Sequence, residues 1–316
     1  MPLSSSVLLR GAVAALALAA CRSSAQPATQ PAAEPAVQPA AQPSAPAQPQ
    51  VQPPRTPRAD SLRTAYRLDG EGRTTEARTL LGALLAGAPD DSSRAMLHRA
   101  IAMSYAFDAD CANTVKHEQD VIAFWRTREA ADPQNAFYQQ GEMANEAARV
   151  CIDAGQLVES ERLYRMGREL GLKEPAPRTH PASLWEYRTE HALARLAARR
   201  GRAAEARQHV DAAKRVLDSD TAMARTQRRF LPYLEGYVAL YTGDAPAATQ
   251  HLQRALAERG NEGDPFLHYL LAESLERQGR AAEARAEYQV AYDRATGHNP
   301  PAAFTRPAAR AKLTAR

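Results

Sequence analysis

The heptapeptide GRAAEAR occupies Gly201–Arg207 and recurs at Gly279–Arg285; a near copy, GRTTEAR, lies at Gly72–Arg78. A phrase written three times in one chain marks a repeated structural unit. Aligned on the glycine, the flanks share a pattern of small and large residues. Around Gly279 it gives Ala272 and Leu275 before, then Ala284, Tyr288 and Ala291 after. The same offsets give Ala194, Ala197, Ala206, Val210 and Ala213 around Gly201, and Ala65, Leu68, Ala77, Leu81 and Leu84 around Gly72. Around Gly243 they give Gly236, Ala239, Ala248, Leu252 and Ala255; around Gly155, Ala148, Cys151, Ser160, Tyr164 and Gly167. Steps of three and four residues place these positions on one helical face on each side of the glycine. The glycine permits the left-handed backbone that ends one helix and turns the chain. The alanine five residues later is small because the two helices cross closely there, and the Arg and Glu of the phrase face solvent.

The composition agrees. Of 316 residues, 44% are hydrophobic but only 6% aromatic, and alanine, the best helix former, carries much of the apolar total. The net charge of +4 is mild and spread along the chain, which gives no footprint for nucleic acid. The small-and-large pattern resembles the tetratricopeptide repeat family over about 240 residues. That resemblance implies an all-α fold, a right-handed superhelical solenoid of about six helical hairpins over residues 59–296. Five hairpins carry a turn glycine. The sixth, Ser92–Ala130, is expected to turn at Phe107–Cys111 (FDADC). Asp132-Pro133 and Asp264-Pro265 read as capping acids before a first-turn proline. The glycines at 155, 201, 243 and 279 are spaced more widely than the family's repeat, so longer helices or looser connections are expected. Gly171–Ala182 (GLKEPAPRTHPA) is the expected loop and a possible bend in the stack. Pro300, Pro301 and Pro307 argue against a full capping helix, leaving residues 297–316 as a tail.

The N-terminal residues stand apart. Arg10 precedes an apolar run, Gly11–Ala20 (GAVAALALAA), too short to span a bilayer. It ends in Leu18-Ala19-Ala20-Cys21, which resembles the lipobox of bacterial lipoproteins. The resemblance implies removal of residues 1–20, a lipid on Cys21 and, with Arg22 following, an outer-membrane protein facing the periplasm. An ordinary cleavable signal with an incidental cysteine is the alternative. In residues 21–58, prolines at 27, 31, 35, 39 and 43 recur every fourth position. Such a segment cannot bury enough apolar surface to fold and reads as an extended tether.

Chemistry-bearing motifs are scarce. There is no phosphate loop, nucleophile elbow or HExxH. His117-Glu118-Gln119-Asp120 begins like a zinc helix but lacks a second His, and the eight histidines are scattered. No catalytic residues, metal ligands or cofactors are expected. In the tetratricopeptide family the first helix of each pair lines a concave groove, at fixed offsets before the turn glycine. Those offsets assign Asn145, Arg149, Arg188, His191, Arg195, Tyr233 and Tyr237 to it, with Arg199 and Tyr241 beside them; Phe230 and Phe266 fall on the same offsets. Arg and Tyr dominate binding hot spots. The expected function is a lipid-anchored envelope scaffold holding other envelope proteins or an extended peptide. The alternative is an envelope enzyme or small-ligand receptor using the same groove, marked by an enclosed pocket with convergent polar groups.

With Cys21 lipidated, Cys111 and Cys151 remain. Counted from Ala131, at the junction of two antiparallel helices, each is twenty residues away. Both should sit at one height in the stack, and a disulfide between the second and third hairpins is predicted.

Overall fold

The computed structural model describes residues 57–315. Among them are fourteen α-helices and one 3-10 turn, and no strands. Twelve helices form six hairpins: α1 (Pro57–Glu71) with α2 (Thr74–Ala86), α3 (Asp91–Ala106) with α4 (Cys111–Arg126), and α5 (Pro133–Asp153) with α6 (Leu157–Gly171). Then come α7 (Ala182–Arg199) with α8 (Ala203–Ser219), α10 (Leu231–Tyr241) with α11 (Ala245–Ala257), and α12 (Pro265–Arg277) with α13 (Ala281–Arg294). A short α9 (Thr221–Gln227) and the 3-10 turn Arg228–Phe230 precede α10. Each helix packs on a sequence neighbour, and each hairpin packs on the next.

The repeated heptapeptide does what its spacing predicts. Gly72, Gly155, Gly201, Gly243 and Gly279 all have φ between 74° and 94°. The small residue five positions on is closed off from solvent in every hairpin: Ala77, Ser160, Ala206 and Ala248 at 0% exposure and Ala284 at 2%. In the fifth hairpin the crossing is so close that a Cβ on Gly236 would stand 2.7 Å from the Leu252 side chain. The exposed Arg and Glu of the phrase bind each other. Arg73 and Glu76, Arg202 and Glu205, and Arg280 and Glu283 form ion pairs at the start of their helices, where an acid also suits the helix dipole. The hairpin without a turn glycine uses Ala109 at φ 54°. Five residues after it, Thr114 is fully buried and its hydroxyl donates to the Ala102 and Asp110 carbonyls.

The predicted disulfide is present. Cys111 opens α4 and Cys151 lies near the end of α5; their Cα atoms are 4.8 Å apart and the sulfurs are at bonding distance. The wide glycine spacings are also accounted for. Residues 172–181 form the loop between α6 and α7, yet these helices still pack, so the stack continues there. The buried Glu174 carboxylate organises that loop, accepting from the Thr179 and His180 backbone amides and the Thr179 hydroxyl. The Asp264 carboxylate caps α12 through the Phe266 and Leu267 amides, whereas Asp132 makes no such bond to α5.

The C-terminal expectation is overturned. Residues 300–314 are a helix, α14 (Pro300–Thr314), not a tail. Asn299 caps it through the Ala302 amide, and Pro300 and Pro301 occupy its first turn, where no amide donor is needed. Pro307 inside the helix is tolerated because α14 is held on several sides. It packs against α12 and α13 and also against α1, α3 and α5, the first helices of the first three hairpins. Arg306 and Arg310 donate to the Gly70 carbonyl at 2.7 Å, and Arg310 also to that of Glu71. Just before α14, His298 stacks on Tyr66 with centroids 3.8 Å apart. Its Nε2 meets buried Asp69 at 2.9 Å, and the Ser104 hydroxyl donates to the same carboxylate. The last helix therefore clasps the first.

Candidate functional site

A pocket of about 450 Å³ opens between α5, α6, α7, the Gln227–Phe230 segment, α10, the start of α12 and the start of α14. Residues far apart in the chain meet there because α7 and α10 pack side by side and α14 covers one end. Six of the nine groove residues expected from sequence line it: Asn145, Arg149, Arg188, His191, Arg195 and Tyr233. Phe230 and Phe266, on the same offsets, line it too, and α14 adds Phe304. The three phenylalanines and Tyr233 make the apolar wall, with Phe266 edge-on to both Tyr233 and Phe304. Volume and mixed lining suit a small organic ligand.

The polar side is cationic. Four arginines and one acid, Asp264, line the pocket. Burial pushes the Asp264 carboxyl above its usual range, against the pull of the amides it caps. Arg188 stands 2.6 Å from Glu142 and over the Trp185 ring. Arg229 donates to the Arg259 carbonyl and lies over Phe230. The other two have no acid. Arg195 is only 8% exposed. Its guanidinium donates to Tyr164 Oη at 2.8 Å and, at 3.4 Å, to Tyr233 Oη and the His191 carbonyl; no carboxylate of the described residues pairs with it. Arg149 makes no hydrogen bond or ion pair among the described residues. Buried charge without a counter-charge is costly, and it is retained where something else supplies the compensation.

Two neutral groups complete the set. His191 is 9% exposed and its Nε2 has no hydrogen-bond partner. Burial, reinforced by Arg195 and Arg149, holds this imidazole well below its usual range, so it is neutral at pH 7. Asn145 is buried and makes no side-chain hydrogen bond among the described residues.

Three expected groove residues lie elsewhere. Tyr237 is 2% exposed and belongs to the core between the fifth and sixth hairpins. Arg199 donates to Tyr237 Oη at 3.3 Å and stacks over Tyr241, whose ring contacts Tyr237 at 4.5 Å. The two tyrosines and Arg199 form a packed layer beside the pocket, because α7 and α10 approach too closely to leave those positions open. Sequence reasoning passed over Tyr164, Tyr187, Gln227, Arg229, Asn261 and Phe304. Tyr164 was already marked by the repeat pattern as a large core position, and Tyr187 sits on α7 next to an assigned offset; the others sit in the α9 and 3-10 segment, in the connection before α12 or in α14, where no repeat offset points.

Cys21 and the tether up to residue 56 lie outside the described residues; Pro57 and Arg58, expected to end the tether, instead open α1. Among the described residues no helix is long and apolar enough to cross a membrane. The chain matches no known protein-family model and no curated protein.

Proposed function

We propose that this chain is a lipid-anchored envelope binding protein, built on a tetratricopeptide-like right-handed solenoid, whose ligand is a compact organic anion. The observation that carries the reading is Arg195, a guanidinium buried in the pocket wall with tyrosine hydroxyls but no acid around it. A ligand carboxylate would supply the missing charge to Arg195 and Arg149. The Phe230, Phe266 and Phe304 wall would take an apolar body attached to it, and His191 and Asn145 would offer hydrogen bonds. Because α14 covers the face formed by α1, α3 and α5, a compact ligand fits better than an extended peptide running the length of the array. Nothing in the pocket requires bond-making chemistry, so the reading is binding and not catalysis. The anchor rests on Leu18–Cys21, and the tether after it would let the folded part stand off the membrane.

Thermal-shift measurements on the full-length protein, with aromatic and aliphatic carboxylates and their neutral amides, test the ligand class. Carboxylates with an apolar body should raise the melting temperature and the matched amides should not. If amides stabilise equally, or only long extended peptides bind, the compact-anion reading fails. Mass spectrometry of the membrane-extracted protein tests the anchor; an unmodified Cys21 peptide or a retained leader refutes it.

A further inference from the structure

We infer that the second hairpin carries a binding site for a divalent zinc-like cation, built from His98 on α3 and His117 and Asp120 on α4. The ligand atoms of the three side chains all lie within 4.8 Å of one another. His98 Nδ1 is 3.0 Å from His117 Nδ1 and 3.1 Å from Asp120 Oδ2. Donor atoms around a tetrahedral zinc stand about 3.3 Å apart, given bonds of about 2.0–2.1 Å. The two separations from His98 therefore need to widen by only a few tenths of an ångström to admit the ion, while His117 and Asp120, within 4.8 Å of each other, close around it. Two imidazole nitrogens and one carboxylate oxygen form a borderline donor set that suits zinc and leaves a fourth position for water.

The other hairpins show why this place differs. A cross-hairpin contact between residues nineteen apart recurs along the chain, joining the first helix of a pair to the second. In the fourth hairpin it is Glu190 with His209, and in the sixth His268 with Glu287, each at 2.7 Å. Both are imidazole–carboxylate pairs that satisfy themselves. In the second hairpin the same contact is His98 with His117. Two imidazoles cannot compensate each other's charge, and the acid comes instead from Asp120, one turn along α4. The site is also held in place. Tyr105 stacks on the His117 ring with an interplanar angle of 17°, and Arg78 covers Tyr105. Orienting contacts of this kind fix the direction of a ligating imidazole. His98 is 19% exposed and Asp120 49%, so an ion can enter from solvent.

The test is calorimetric titration of zinc chloride into the full-length chain, purified in detergent without an affinity tag and stripped with chelator. One zinc per chain is expected. His117→Gln keeps a hydrogen-bonding amide beside His98 but removes the zinc-binding nitrogen, so it should keep the fold and its zinc-free melting temperature while losing the site. Asp120→Asn should weaken binding by about tenfold or more, in line with the sensitivity of metal sites to ligand changes. His209→Gln, in the fourth hairpin, should change nothing. Should His117→Gln fail to fold, loss of zinc in Asp120→Asn at unchanged melting temperature serves instead. Absence of zinc binding in the unaltered chain, or binding undiminished in His117→Gln and Asp120→Asn, overturns the inference.

Discussion

Replacing Arg195 with Met removes a charge while keeping most of the side-chain volume. In the folded protein that charge is held by one good hydrogen bond, to Tyr164 Oη at 2.8 Å, and by two long ones at 3.4 Å. It also faces the Tyr164 and Tyr237 rings at 5.5 and 5.9 Å. A hydrogen bond to a charged group contributes about 1.5–3 kcal/mol and each ring roughly 0.5–1 kcal/mol, so the favourable side totals about 3–5 kcal/mol. Against it stands the desolvation of a guanidinium without an acid, itself several kcal/mol. The two nearly cancel, and Tyr164 and Tyr233 line the pocket, where water can replace the lost donor. Urea unfolding of Arg195→Met, followed by circular dichroism, should therefore give a stability within about 2 kcal/mol of the parent. Ligand binding should respond very differently. Removing one partner of a buried charge pair costs about 2–5 kcal/mol, a loss of roughly 30- to 5,000-fold in affinity for the carboxylate identified by thermal shift. A stability loss above about 4 kcal/mol would mean the charge is already satisfied by the fold. That result, or unchanged carboxylate affinity, refutes the reasoning.

Other perturbations have equally definite outcomes. Replacing both Cys111 and Cys151 with Ala opens a loop spanning 40 residues, and loop entropy predicts a loss of about 4 kcal/mol in denaturant unfolding; in protein from the envelope neither thiol should alkylate without reductant. Gly141→Ala should destabilise strongly by melting temperature, since the added Cβ would stand 2.4 Å from Trp185 and 2.8 Å from the Gly167 carbonyl. Gly82→Ala, mid-helix with open space around it, should stabilise by about 0.5–1 kcal/mol in the same assay. Stability should fall as the pH drops below about 6.5, because the unfolded chain then protonates His191 while the folded pocket holds it neutral. His191→Gln should flatten that part of the stability–pH curve, measured by urea unfolding at several pH values.

The repeat was legible because its constraint is steric and recurs. A turn needs positive φ, a crossing needs a small side chain, and both demands appear at fixed offsets from each glycine. Ala109 shows the limit of that signal: it takes the glycine's backbone conformation without being glycine. Eight pocket residues were legible through the same offsets, Phe230 and Phe266 among them. Tyr237 was not, since its burial in the core shared by the fifth and sixth hairpins depends on how closely consecutive hairpins approach, which no single repeat encodes. Helix α14 was misread because prolines were weighed as breakers without asking where in a helix they fall. His98 and His117 looked unrelated because nineteen residues in sequence become neighbours only once a hairpin closes.

The clasp between α14 and α1 changes how the protein must fold. Most contacts in a repeat array are local, so hairpins can form one after another and fray from either end. Here Asp69 waits for His298, and Gly70 for Arg306 and Arg310, partners 229 to 240 residues away. Contacts of that range cannot form early. A nascent chain can assemble its hairpins as they emerge, but it leaves the buried Asp69 carboxylate without its histidine until the last helix arrives. Helix α14 thus acts as a lock on the array: a chain cut before it should lack the clasp and expose the face of α1, α3 and α5 that α14 covers, and limited proteolysis should attack it faster than the intact protein.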